Sequence, residues 1–191
     1  AKWYPVGPQV YILTSSGLLG TNSSFLWETE LYRYILNSSK CYFMNKKLTV
    51  IVIGAGNRGE TYTDIMKKMP DKFEVVAVAE PIESRRKNIQ AKHNLPEEAC
   101  FTTYDELFKL GKIADMAIIS TMDKQHFDPA MKAIALGYNL LLEKPVSPDP
   151  IECEQIAQQA EKYGVKVVVC HVLRYTPFFM TLKQLILEGK V

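Results

Sequence analysis

A short apolar run that feeds directly into three glycines, Leu48-Thr-Val-Ile-Val-Ile-Gly-Ala-Gly-Asn-Arg-Gly, constrains this chain more than any other stretch. The run Leu48 to Ile53 is short and β-branched, so it reads as a strand buried on both faces, as a parallel sheet requires. Gly54, Gly56 and Gly59 then make a GxGxxG turn. In such a turn the first glycine permits the tight bend, the second lets the backbone approach a diphosphate, and the third lets the following helix pack close to the strand. The spacing predicts that helix over Glu60 to Met69, with Ile65, Met66 and Met69 on one side and Pro70-Asp71 as its stop.

A glycine turn alone also arises for purely steric reasons, so the next elements matter. A second strand-like run, Phe73 to Ala79, ends at Glu80, about twenty residues past the last glycine, where an acid accepts hydrogen bonds from the ribose hydroxyls of a dinucleotide. Strand, turn, helix, strand and acid occur in that order. The combination points to dinucleotide binding, with Gly54, Gly56, Asn57, Arg58 and Gly59 at the turn and helix start, whose free N–H groups face phosphates. The competing reading of Glu80 is a solvated charge at a strand end. Glu80 repels a 2′-phosphate and favours NAD, whereas Arg85 and Arg86 could accept that phosphate if they point inward, so NADP stays open; otherwise these arginines are an exposed helix face.

Strand and helix signals keep alternating after Glu80. Pro81 to about Asn94 reads as a helix, Cys100 to Thr102 as a short strand, and Tyr104 to Leu110 as a helix ended by Gly111. Asp115 to Thr121 is a strand, Gln125 to Leu136 a helix closed by Gly137, and Tyr138 to Leu142 a strand. Pro148 to Tyr163 is a helix ended by Gly164, and Val165 to Cys170 is the sixth strand. The expected fold is a Rossmann α/β domain, a doubly wound parallel sheet in the order 3-2-1-4-5-6. At 191 residues, 47% hydrophobic content and a formal charge of +2, the chain can bury a proper core and shows no electrostatic bias toward nucleic acid or a membrane. Cys41, Cys100, Cys153 and Cys170 lack CxxC spacing and read as buried reduced thiols of a cytosolic, soluble protein; no cluster has metal-ligand spacing.

In a parallel open sheet the ligand lies at the carboxyl ends of the strands. The fourth strand ends in Ser120-Thr121-Met122-Asp123-Lys124-Gln125-His126, the fifth in Glu143-Lys144-Pro145 and the sixth in His171-Val172-Leu173-Arg174-Tyr175. With the glycine fingerprint, the Glu-Lys-Pro and the His-Val-Leu-Arg-Tyr-Thr-Pro segment, residues 44–191 resemble the cofactor domain of the Gfo/Idh/MocA oxidoreductases, the glucose-fructose oxidoreductase and inositol dehydrogenase family. The resemblance implies a hydride transfer between nicotinamide and a sugar or cyclitol carbinol, with Lys144 beside both. An ammonium there can polarise the oxygen and share in proton transfer. Glu143 would orient that lysine or contact the nicotinamide ribose. The bland alternative for the two is a solvated ion pair.

Ser120, Thr121, Asp123 and His126 resemble the family's loop along the cofactor, commonly Thr-Pro-Asn with a following histidine. Met122 and Asp123 depart from that pattern. His126 reads equally as a capping or packing residue. Arg174 reaches substrate or cofactor on one reading and caps a helix on another. The resemblance also implies a second α/β domain that completes the substrate pocket and a homo-oligomeric full-length protein. Nothing like that domain follows here, so residues 44–191 read as the nucleotide-binding half of a longer enzyme, with Phe178, Phe179, Leu182, Leu185 and Ile186 left partly uncovered. The competing reading is a non-catalytic dinucleotide sensor or partner subunit. Residues 1–43 hold both tryptophans, five of the ten tyrosines and five charged groups, and read as an atypical extension, non-native or disordered, or as a dimerising arm.

Overall fold

The computed structural model describes residues 10–11 and 47–191; the rest of the N-terminal extension lies outside the described residues. Seven strands form one parallel sheet: β1 (Val10–Tyr11), β2 (Leu48–Ile53), β3 (Phe73–Ala79), β4 (Cys100–Phe101), β5 (Met116–Ile119), β6 (Asn139–Leu142) and β7 (Val167–Val169). Their order is β1-β7-β6-β5-β2-β3-β4. Counted from β2, this is the expected 3-2-1-4-5-6 order, with one short strand added at the β7 edge. That added strand pairs Val10 with Val167 and Tyr11 with Val168.

The central strands are buried throughout because helices cover both faces. Val50, Ile51, Val52, Ala77, Val78, Ala117, Ile118, Ile119 and Leu142 are fully excluded from water. Each buried branched side chain of this kind contributes about 1.5–3 kcal/mol. The helices are α1 (Asn57–Lys67), α2 (Glu83–His93), α3 (Tyr104–Phe108), α4 (Phe127–Ala135), α5 (Pro150–Tyr163) and α6 (Pro177–Leu187). Their ends follow local chemistry. Thr103 and Glu106 close a capping box on α3, while Asp149 caps α5, Pro150 opens it and the left-handed Gly164 ends it. Among the described residues no helix is long and apolar enough to cross a membrane.

Helix α1 differs from its expected form. It starts at Asn57, and its buried stripe is Gly59, Tyr62, Thr63 and Met66, not Ile65, Met66 and Met69. The closest contact sets the phase: Gly59 lies against the glycine turn, so positions three, four and seven residues later share its face. Of the described cysteines, all free, only Cys170 is fully buried.

The chain divides into two units, whose described parts are residues 10–11 with 47–170 and residues 171–191. The described part of the second holds a 3-10 turn, Val172–Tyr175, and α6, along which Phe178, Phe179, Met180, Ile186 and Leu187 are exposed. Arg174 sits on that turn.

Candidate functional site

The carboxyl edge of the sheet in the first unit is built around the glycine turn. Gly54 has φ +89°, and a Cβ there would press on the Ser120 carbonyl oxygen at 2.7 Å and the Thr121 nitrogen at 2.9 Å. Gly59 is equally constrained, because a Cβ would run into the Gly54 carbonyl oxygen and meet Ser120 Oγ at 2.9 Å. Gly56 is different. Its backbone is ordinary, and the nearest atom to an added Cβ is Arg85 Nη1 at 3.8 Å. Packing therefore demands the first and third glycines, while the second leaves its backbone accessible to a ligand. Gly56 is also the N-cap of α1, and no side chain caps that end.

Ser120 belongs to the turn. It is buried, and its hydroxyl donates to the Gly54 carbonyl at 2.7 Å. Glu80 is only 4% exposed. Its carboxylate accepts the Ala55 N–H at 2.7 Å and the Ile82 N–H at 3.0 Å. So Glu80 is not a solvated strand-end charge but the brace between the glycine turn and the chain leaving β3. Two oxygens offer about four acceptor positions, so capacity for ribose hydroxyls is retained. Arg86 turns back onto backbone, donating to the Glu80 carbonyl at 2.5 Å and the Pro81 carbonyl at 3.3 Å. Arg85 is exposed over Gly56 and is the arginine that a phosphate at the turn would meet.

At the end of β6 the two halves of Glu-Lys-Pro separate. Glu143 is 5% exposed, whereas Lys144 points into solvent before a cis Pro145. Glu143 accepts the backbone N–H of Lys144 at 3.0 Å and the hydroxyl of Tyr62 from α1. Arg58 Nε lies 3.8 Å from the same carboxylate. The surroundings are dry: burial pushes the neighbouring Cys170 thiol up to about 12, and burial, then Cys170 and Glu143, raise the Tyr62 phenol above its usual range. Among the described residues no carboxylate pairs with the Lys144 ammonium. The solvated Glu143–Lys144 pair is therefore not formed.

His126 is fully buried, with Nδ1 2.7 Å from the Pro145 carbonyl and Nε2 3.1 Å from the Thr121 carbonyl. It ties the loop after β5 to the Lys144-Pro145 turn and stands at the N-cap of α4, as the capping and packing reading of the sequence expects. Thr121 donates to the Gln125 carbonyl at 3.0 Å. Asp123 and Asn57 are exposed, on the 3-10 turn Asp123–Gln125 and at the start of α1. Arg174 belongs to the other unit. Tyr62 is the residue missed from sequence, although its place three residues after Gly59 was the available signal.

Residues 48–171 match the model of the Gfo/Idh/MocA group, described as an oxidoreductase family with an NAD-binding Rossmann fold. The chain belongs to this family. Among curated Gfo/Idh/MocA-like relatives, the trans-1,2-dihydrobenzene-1,2-diol dehydrogenase of Mus musculus is 26% identical over 141 residues, 73% of this chain and 41% of its own length. The inositol 2-dehydrogenase of Arthrobacter sp. is 31% identical over 149 residues, 78% of this chain and 43% of its own. The WlbA dehydrogenase of Bordetella pertussis, solved with NADH and UDP-GlcNAcA, superposes with a TM-score of 0.68 at 17% identity, over 75% of this chain and 42% of that one, a likeness of fold. The chain thus spans about two fifths of the curated relatives it matches.

The matched region is the NAD-binding Rossmann domain of that family, and its residues fit the cofactor. The accessible Gly56 backbone and the uncapped start of α1 suit a diphosphate, and the Glu80 brace suits a ribose diol.

Proposed function

We propose that this chain is the cofactor-binding part of an enzyme that moves a hydride between nicotinamide and a carbinol of a sugar or cyclitol, with Lys144 as its acid–base residue. The observation that carries this reading is the separation within Glu-Lys-Pro: a buried, fully engaged Glu143 and an exposed Lys144 ammonium with no carboxylate partner among the described residues. Bound NAD would supply the hydride acceptor. As the carbinol loses its hydride, Lys144 in its amine form takes the hydroxyl proton; in the reverse direction its ammonium returns that proton to the carbonyl oxygen. The N-terminus of α1 with Gly56 and Arg58 would hold the diphosphate, and Glu80 the adenine ribose, with Arg85 nearby for a 2′-phosphate.

The names of two relatives narrow the substrate class. Inositol and trans-1,2-dihydrobenzene-1,2-diol are both six-membered rings with neighbouring hydroxyls, so a ring carbinol flanked by another hydroxyl is the proposed substrate. Residues 44–191 form the cofactor domain in this reading, and the rest of the substrate pocket comes from elsewhere in the full-length protein, in an assembly of like subunits.

The reading is tested in two stages. Purified chain titrated with NADH should give saturable nicotinamide fluorescence, lost in Gly56→Asp. The protein translated from the whole gene should reduce NAD with a cyclitol or aldose, and Lys144→Met should lower kcat by about 100-fold or more while NADH binding persists. Retained turnover in Lys144→Met would remove the lysine from the mechanism.

A further inference from the structure

Within Glu-Lys-Pro the carboxylate and the ammonium are adjacent in sequence and yet do not pair. A carboxylate 5% exposed beside a flexible lysine is ordinarily its natural partner, since a charge-assisted bond is stronger than a neutral one. Here the partners of Glu143 come from elsewhere. One oxygen takes the backbone N–H of Lys144 at 3.0 Å and not its ammonium. The other takes the Tyr62 hydroxyl, with Arg58 Nε at 3.8 Å. Tyr62 is itself buried, on the face of α1 fixed by the contact of Gly59 with the glycine turn.

We infer that Tyr62 is a positioning residue: by holding the Glu143 carboxylate inward, it keeps the Lys144 ammonium unpaired at the end of β6 and able to exchange a proton with a substrate hydroxyl. This rests on the role of Lys144 proposed above. It gives α1 two tasks at once, since the helix whose first turn faces the cofactor phosphates also carries, one turn later, the hydroxyl that sets the charge state around the reacting lysine.

The mechanism makes a definite statement about removal of the hydroxyl. In Tyr62→Phe the ring still fills its site, but Glu143 loses its buried donor. The cations that can then turn to Glu143 are the Arg58 guanidinium, already at 3.8 Å, and the ammonium of the next residue, and to the extent that Lys144 takes the place, its affinity for its proton rises. Fewer Lys144 side chains are then free amines at a given pH.

Pulse acetylation of the 191-residue chain, with the Lys144 peptide quantified by mass spectrometry across a pH series, reads this without any turnover. Tyr62→Phe should slow Lys144 acetylation about threefold to tenfold in the alkaline range, equivalent to a rise of about half to one pH unit in its titration. In a Glu143→Gln background the same change should do nothing, because no carboxylate remains to pair. Unchanged acetylation in Tyr62→Phe, or an equal drop in the Glu143→Gln background, would overturn the inference. A second comparison needs no change at Tyr62: Glu143→Gln alone should leave Lys144 acetylation within about twofold of the parent, and a severalfold acceleration would show that Glu143 already holds the lysine. Because these readings involve neither cofactor nor carbinol, failure of hydride transfer would remove the proposed function and leave the Tyr62–Glu143 result standing.

Discussion

The carboxyl edge of the sheet and the outer layer formed by α1 and α2 use the same side chains in opposite circumstances. At the edge, Glu80 and Glu143 are nearly inaccessible, and each is held by donors fixed in the backbone or in a packed ring. In the outer layer, Lys92 reaches Glu60 at 2.6 Å and Asp64 at 2.8 Å, and Asn88 adds a third bond to Glu60 at 2.8 Å, but the two carboxylate side chains are 41% and 45% exposed. The outer contacts are as short as the two that hold Glu80, at 2.7 and 3.0 Å. Physical chemistry nevertheless assigns the larger energies to the edge, because a donor stranded in a dry site has no water to turn to, whereas an exposed ion pair is exchanged for hydration almost without loss. The lesson is that the length of a polar contact says little about its weight until the burial around it is known.

The sharpest way to break this comparison is Glu80→Gln. The amide keeps one acceptor and turns a donor toward the other backbone N–H, so either the buried Ala55 N–H or the part-buried Ile82 N–H loses its partner. The expected loss is about 1–3 kcal/mol in urea unfolding, with weaker NADH binding because the glycine turn loosens. A loss below about half a kcal/mol would place Glu80 with the outer ion pairs.

Much of the edge was legible in sequence. Leu48 to Ile53, the three glycines and Glu80 have fixed spacing, and each is dictated by local geometry: a strand covered on both sides, a left-handed Gly54, and a Gly59 with no room for a Cβ. Glu-Lys-Pro was visible as a motif for the same reason. What could not be read was who holds whom. Tyr62 and Glu143 are 81 positions apart, and their contact exists only because the sheet places β6 beside β5, one strand away from β2, and α1 packs by Gly59. His126 was ambiguous between contact and packing in sequence, and its packing partners, the carbonyls of Thr121 and Pro145 on either side of its ring, appear only in the tertiary structure. The buried face of α1 was misjudged because hydrophobicity favoured Ile65 and Met69, while a close backbone approach at Gly59 had already set the phase.

His93, at the end of α2, tests an intermediate case. Its Nε2 is buried without a hydrogen-bond partner among the described residues. Burial, reinforced by the charge of Lys67 and opposed by Asp64, holds its imidazole below the usual value of 6.5. The unfolded chain then binds this proton more readily than the folded one. Stability from this group is therefore fully present above pH 6.5 and falls as the pH drops toward the folded value. Urea midpoints measured above 6.5 and about one to two units below it should diverge, and His93→Gln should flatten that dependence. An identical acid loss in His93→Gln would transfer the effect to other groups.

The smallest effect is expected where the contacts look best. Lys92→Met keeps the aliphatic stem against α1 and removes the ammonium from Glu60 and Asp64. Both carboxylates are open to water and regain hydration, and the methionine no longer gives up the side-chain freedom that two simultaneous ion pairs require. One opposing term remains: without the lysine, Glu60 and Asp64 stand one turn apart on α1 as like charges, a repulsion that salt screens. The melting temperature should thus stay within about 2 °C of the parent at physiological ionic strength and drift slightly lower in dilute buffer. A fall as large as that of Glu80→Gln would mean that the cluster is far less hydrated than its exposure indicates, and the division between a rigid edge and an interchangeable outer layer would have to be redrawn.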